Sequence, residues 1–181
     1  MTRFISENNI RFGCRVAAVI LLLEHVLLQG EPNGDYWTLP GGGVELLEPS
    51  ETALQREMRE ELSIEIRIHR LLWIVEQFFA DNKQRKHHEL ALIYLVVPVE
   101  PLPLLDRQIT AYEGSIPIIF KWFHIEDLPR ILYPSFLMSG LKSLPTAAQK
   151  VTEQSIALSE NTHQDDLETK KGMEEPRIIT I

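Results

Sequence analysis

Glu57, Glu60 and Glu61 stand at i, i+3 and i+4 in the segment REMREEL. On a helix that spacing puts three carboxylates along one edge, with Cβ atoms about 5–6 Å apart. Like charges so placed cost about 0.2–0.5 kcal/mol per pair, and no lysine shares the edge to offset them. A divalent cation would reverse the sign of that cost. Hard cations such as Mg²⁺ or Mn²⁺ prefer oxygen donors, and Mg²⁺ commonly bridges carboxylates to substrate phosphates. Taken alone, the run also reads as a solvated helix face. The weight shifts with Pro40-Gly41-Gly42-Gly43 just upstream. Consecutive glycines permit positive φ and close backbone approach, which suits a loop that holds a charged ligand against the main chain.

The helix that carries the carboxylates is predicted over residues 51–62. Ser50 is the candidate N-cap, Pro49 blocks an earlier start, and Glu51 lies in the first turn, where the helix dipole favours an acid. Leu54, Met58 and Leu62 recur every four residues and form the stripe to be buried, with Glu57 and Glu61 beside it.

Taken as a spacing, the stretch gives Gly42, five residues, Glu48, seven residues, then Arg56-Glu57-Met58-Arg59-Glu60-Glu61-Leu62-Ser63-Ile64. This resembles the Nudix box, the signature of the Nudix hydrolases, with every charged position in register. Two positions depart from it: Ser63 replaces the late glycine, and Leu47 replaces the glycine usual before the first glutamate. The resemblance implies an α/β fold, a Nudix-like α/β/α sandwich with a mixed sheet between helices. It implies hydrolysis of a nucleoside diphosphate linked to another moiety, by attack of water on phosphorus, with Mg²⁺ (or Mn²⁺) as cofactor. By the same resemblance Glu57, Glu60 and Glu61, with the backbone carbonyl of Gly41, bind the metal, and Glu48 and Arg56 form a structural pair tying helix to loop. For the base, Glu60 and Glu61 are the candidates inside the box. Glu113, nine residues before Trp122, is the first candidate outside it, and Glu89 the second. Each is also readable as an ordinary surface acid.

Two other readings stand beside the hydrolase. One is a Nudix-fold module that binds a nucleotide without cleaving it; retention of every box carboxylate weighs against that. The other is a metal-dependent reaction such as isomerisation of an isoprenyl diphosphate, for which the sequence places no cysteine near the box.

The chain has 181 residues, 44% of them hydrophobic, enough for one core. Residues 1–145 read as a single domain and residues 146–181, rich in polar and acidic residues, as a mobile tail. A formal net charge of −8 argues against a duplex nucleic acid or an anionic membrane as partner, because phosphate surfaces are bound by basic patches. A small-molecule nucleotide substrate remains open, since a bound metal neutralises charge locally. The resemblance is also compatible with a homodimer. Cys14 is the only cysteine, which excludes an intrachain disulfide, and the N-terminus lacks a hydrophobic signal core; both fit a cytoplasmic protein.

The scaffold reads as strands and two helices. Strands are predicted over 16–23 and 26–28 as a hairpin with His25 in its turn, over 64–68, 72–79 and 90–99, and over 116–123 after a turn at 112–115, while 104–111 reads as a short strand or a connection. Residues 80–88 read as an exposed basic connection, in which Lys83, Arg85 and Lys86 are more readily solvated than phosphate-binding. His87 and His88 are adjacent, which is the wrong spacing for two metal ligands on one face. Trp37 reads as a packing residue. A second helix over 134–144 should cover the sheet face opposite the first.

Overall fold

The computed structural model describes residues 4–7, 9–81, 84–102, 108–113 and 115–156. In chain order its strands are β1 (Phe4–Glu7), β2 (Ile10–Leu22), β3 (His25–Gly30), β4 (Trp37–Thr38), β5 (Ile66–Ala80), β6 (Lys86–Pro98), β7 (Ile109–Glu113), β8 (Ile116–His124), β9 (Leu132–Tyr133) and β10 (Gln149–Gln154). Helix α1 (Ser50–Leu62) lies between β4 and β5, and α2 (Leu137–Gly140) follows β9.

β2 organises the sheet. Side chains alternate across a strand, so an unbroken apolar run requires cover on both faces. Val16, Ala18 and Ile20 enter one buried cluster with Ala53, Leu54 and Met58 of α1. Ala17 and Val19 enter a second cluster with Leu137 and Leu141, at and just beyond α2. The result is a mixed sheet covered by α1 on one face and by the short α2 turn with its flanking residues on the other, the α/β class expected.

β2 pairs in parallel with β6, from Ile10↔Lys86 to Ile20↔Val96, and β6 is antiparallel to β5. On the other side β2 turns back into β3 at Leu21↔Val26, and β3 pairs with both β4 and β8. β7 joins β8 as an antiparallel hairpin, β1 pairs with β2, and β9 runs parallel to β4.

Several local expectations are corrected. The reversal after β2 falls on Leu23 and Glu24, both at positive φ, so His25 opens β3 instead of making the turn. The strands expected over 64–68 and 72–79 are one strand, β5, because register shifts at Ile68/Arg70 and Leu71/Trp73 absorb the polar break at His69-Arg70. Tyr112 and Glu113 end β7 and are not part of a turn. The helix expected over 134–144 is a single α-turn, α2, flanked by i→i+3 hydrogen bonds such as Leu137 N–H to the Pro134 carbonyl, 3.1 Å. The Ser139-Gly140 pair gives weak support to a longer helix.

The region expected as tail contains β10, which runs parallel to β5 from Gln149↔Trp73 to Gln154↔Phe78. Its polar alternation suits an edge strand, where Val151 alone packs on the second cluster. Residues 157–181, and with them most of that tail, lie outside the described residues. Among the described residues no helix is long and apolar enough to cross a membrane.

Both positions that depart from the glycine pattern keep a left-handed backbone. Leu47 has φ 65°, and Ser63 has φ 55° and ψ 35° at the end of α1, where its N–H donates to the Arg59 carbonyl. A Cβ in that region costs roughly 1–2 kcal/mol. Leu47→Gly and Ser63→Gly are therefore each expected to stabilise the fold by up to about 1 kcal/mol after the entropic cost of glycine, a rise in Tm of about 2–4 °C. Thermal unfolding of the two variants checks this; no rise in either would mean that the backbone is not strained there.

Candidate active site

The glycine loop is fastened along an edge of β2. Ala18 N–H donates to the Pro40 carbonyl (2.8 Å), Val16 N–H to the Gly42 carbonyl (2.9 Å), and Val44 N–H to the Cys14 carbonyl (2.9 Å). Gly41 is obligatory there, and Gly42 is closely hemmed in. Gly41 has φ 141°, and a Cβ on it would lie 2.2 Å from the Val16 carbonyl oxygen. A Cβ on Gly42 would lie 2.3 Å from the Glu57 carboxyl carbon. The loop is thus pressed between the sheet, which admits only bare backbone at Gly41, and a carboxylate of α1 that a side chain at position 42 would have to displace.

Glu57 is buried, with 4% of its surface exposed, and an unpaired carboxylate in that position would be costly. Its partner is Arg56. The Arg56 guanidinium has five N–H donors in a rigid fork. Nε and Nη2 hold the two oxygens of Glu48, each at 2.9 Å, and Nη2 also donates to the Gly43 carbonyl at 3.0 Å. Nη1 donates to Glu57 at 2.7 Å and to Glu60 at 3.2 Å. The Glu48 carboxylate also accepts from Glu45 N–H at 3.0 Å. These contacts keep the guanidinium charged well above the ordinary arginine range, first through its hydrogen bonds to Glu48, with burial opposing and Glu57 adding. Helix and glycine loop are joined by this one side chain.

Three carboxylates meet one guanidinium, so the cluster carries surplus negative charge, and Glu61 sits partly buried on the same helix edge. The donors are all oxygen, and Glu60 is more than half exposed and held by the longest of the contacts. That chemistry fits a hard divalent cation. Among the described residues, no three His, Cys, Asp or Glu side chains are already drawn together as a metal centre; the oxygens of Glu57 and Glu60 face Arg56.

The remaining candidates lie elsewhere. The Gly41 carbonyl accepts from Arg15 Nη2 at 2.7 Å. Glu113 is the last residue of β7, a strand that packs against α1. Glu89 accepts from Gln77 Nε2 at 3.3 Å on the opposite face of the sheet from α1 and lines a cavity there. Arg85 is bound to Asp81 at 2.6 Å, and His87 to the same acid at 3.2 Å; Lys83 lies outside the described residues. Arg59 pairs with Glu65 at 2.5 Å on the surface. Ser50 does not cap α1, since Pro49 holds the N-cap position and the Ser50 hydroxyl meets that of Tyr94 at 2.7 Å. Trp37 packs edge-on against Phe123. Cys14, distant from the box in sequence, is beside its loop in space; burial first, then Glu89, pushes its thiol pKa up, so it stays protonated and a poor nucleophile.

Sequence reasoning missed the cavity. It measures about 720 Å³ and is lined by Arg15, Tyr36, Glu89, Tyr133 and Glu153, among others. One signal was legible: Arg15 is a cation immediately before the apolar run 16–23.

A mixed sheet that carries a glycine loop, clamped through Arg56 to a helix edge of clustered carboxylates, defines an α/β protein with its charged groups gathered against one bare backbone loop. The chain matches the NUDIX domain over residues 13–138, and it belongs to the NUDIX family. Nudix hydrolases act on phosphoanhydride bonds and generally use divalent metals. The chain is 33% identical over 111 residues to diphosphoinositol polyphosphate phosphohydrolase 3-alpha of Mus musculus, covering 60% of each chain. It is 31% identical over 111 residues to diphosphoinositol polyphosphate phosphohydrolase 2 of Homo sapiens, covering 60% of this chain and 54% of that one. The chain therefore spans less than two thirds of these relatives. Among solved structures it is similar to a MutT NUDIX hydrolase from Burkholderia pseudomallei, with 29% identity, a TM-score of 0.52, and 72% and 96% of the two chains covered. It shares the fold of an ADP-ribose pyrophosphatase from Streptococcus suis, with 20% identity, a TM-score of 0.50, and 77% and 97% covered.

Arg56→Ala removes the guanidinium that bridges the buried Glu57 to Glu48 and the glycine loop and is expected to cost about 3–5 kcal/mol, read as a fall in denaturation midpoint. Arg56→Lys keeps the charge but cannot fork, and should recover only part of the loss. An unchanged midpoint in Arg56→Ala would show that the clamp does not support the fold.

Proposed function

We propose that this chain is a Mg²⁺-dependent pyrophosphohydrolase that cleaves a nucleoside diphosphate linked to another moiety, a nucleoside triphosphate or nucleotide sugar, by attack of water on phosphorus. The observation that carries this reading is the Arg56 cluster, in which Glu48, Glu57 and Glu60 converge on one guanidinium against the glycine loop. Glu57, Glu60 and Glu61 would hold the cation, with the Gly41 carbonyl as a further oxygen donor. Bound there, Mg²⁺ neutralises pyrophosphate charge and acidifies water. Arg56 and Glu48 hold the carboxylates in place and are not themselves consumed in the chemistry. Buried Glu57 is fixed by Arg56, while Glu60 and Glu61 are the candidates on α1 to accept the proton of the attacking water. Glu113 is the candidate base outside the helix.

The test is release of phosphate and nucleotide from nucleoside triphosphates, ADP-ribose, dinucleoside polyphosphates and nucleotide sugars, with Mg²⁺ and with chelator. Turnover should require the metal and fall at least about a hundredfold in Glu60→Gln, the scale of a lost metal ligand or general base. A comparable fall in kcat for Glu113→Gln, with metal affinity intact, would assign the base to Glu113. Metal-independent turnover, or full activity in Glu60→Gln, would overturn the reading.

A further inference from the structure

Tyr94 brings a hydroxyl into the apolar cluster between the sheet and α1. It lies on β6, paired with Ala18 of β2 and Leu71 of β5, is 6% exposed, and shares its cluster with Ala53, Leu54 and Met58 of the helix. A phenol buried among hydrocarbon needs a partner for its hydroxyl. That partner is the Ser50 hydroxyl, 2.7 Å away, on the first residue of α1. A serine at a helix start ordinarily turns its oxygen back to the helix's own N–H groups. Here the N-cap position belongs to Pro49, no side chain caps α1, and the Ser50 hydroxyl faces the sheet instead.

The bond falls on the line of α1 that carries two of the proposed ligands. At about 100° per residue, positions i, i+7 and i+11 lie within about 20° of one another around a helix. Ser50, Glu57 and Glu61 have that spacing. Apolar packing is non-directional, so the Leu54 and Met58 contacts resist separation of helix from sheet more than rotation of the helix about its own axis. A hydrogen bond has a direction and resists that rotation. With side chains about 6 Å from the axis, a roll of about 10° displaces a carboxylate by about 1 Å, beyond the roughly 0.5 Å that a binding constellation tolerates. The Arg56 fork joins α1 to the glycine loop. The Tyr94 bond joins it to β6, about two turns before Glu57.

We propose that Tyr94 is a positioning residue for the divalent-cation site: by holding Ser50 it sets the roll of α1 and with it the placement of the Glu57 and Glu61 carboxylates. The proposal rests on the reading of those glutamates as cation ligands, and it adds a residue of the sheet, outside the box, whose effect passes through the helix.

The test is Mn²⁺ titration of the full chain followed by electron paramagnetic resonance, with a Tm recorded for each variant. Tyr94→Phe keeps the ring and removes the hydroxyl; Ser50→Ala removes its partner. Each should bind Mn²⁺ about fivefold more weakly than wild type, the scale of one net hydrogen bond. The double variant should be no weaker than either single one, because both remove the same bond. Ser50→Thr, which keeps a hydroxyl, should stay within about twofold of wild type. Ile66→Val trims one carbon from the same cluster and should lower Tm while leaving Mn²⁺ affinity unchanged, which separates positioning from loss of stability. Wild-type affinity in both Tyr94→Phe and Ser50→Ala, additive losses in the double variant, or a comparable loss in Ile66→Val would overturn the proposal and leave the cation site standing. No saturable Mn²⁺ binding to wild type would overturn the cation-site reading and this proposal with it.

Discussion

The interaction on which the rest depends is the fork of Arg56. A helix edge of glutamates repels itself, and a glycine loop has no side chains with which to hold a shape. One guanidinium answers both problems, because its five donors reach Glu48 and Gly43 on the loop side and Glu57 and Glu60 on the helix side. A lysine could supply the charge but not the planar geometry. The clamp leaves the cluster net negative, so it stabilises the carboxylates without cancelling the field a dication would enter.

The sheet determines where that clamp is placed. β2 is buried on both faces, with β6 on one edge and the glycine loop on part of the other. Because Val16 and Ala18 bind the loop backbone while their side chains pack with α1, strand, loop and helix have one relative position. The same strand presents Arg15 and Ala17 on its other face, to the cavity. Two environments are therefore built on one strand: an oxygen-rich edge on the α1 side, and an aromatic cleft behind it, joined at Gly41.

The α1 segment was legible because its signals are local: proline, helical apolar spacing and charged offsets all fall within 25 consecutive residues, 40–64. The alternation of β2 between two clusters was implicit in its unbroken apolar run. What escaped was non-local. β10 is polar, and only its pairing with β5, more than seventy residues earlier, makes it a strand. The cavity collects Arg15, Tyr36, Glu89, Tyr133 and Glu153 from remote segments, none of which forms a pattern on its own. The second helix was overestimated because apolar spacing speaks to burial, whereas Ser139-Gly140 and the preceding turns decide length. Left-handed backbone at Leu47 and Ser63 was signalled only by the glycines that the Nudix box carries there, since leucine and serine themselves normally avoid it.

The central claim is that α1 carboxylates organised by Arg56 form a divalent-cation site. Mn²⁺ titration followed by electron paramagnetic resonance, on wild type, Glu57→Gln and Glu48→Gln, tests it most directly. The account predicts saturable Mn²⁺ binding to wild type, its loss in Glu57→Gln, and a roughly 10–100-fold weaker affinity in Glu48→Gln, where only the support of the ligands is altered. Equal Mn²⁺ affinity in all three proteins would contradict it.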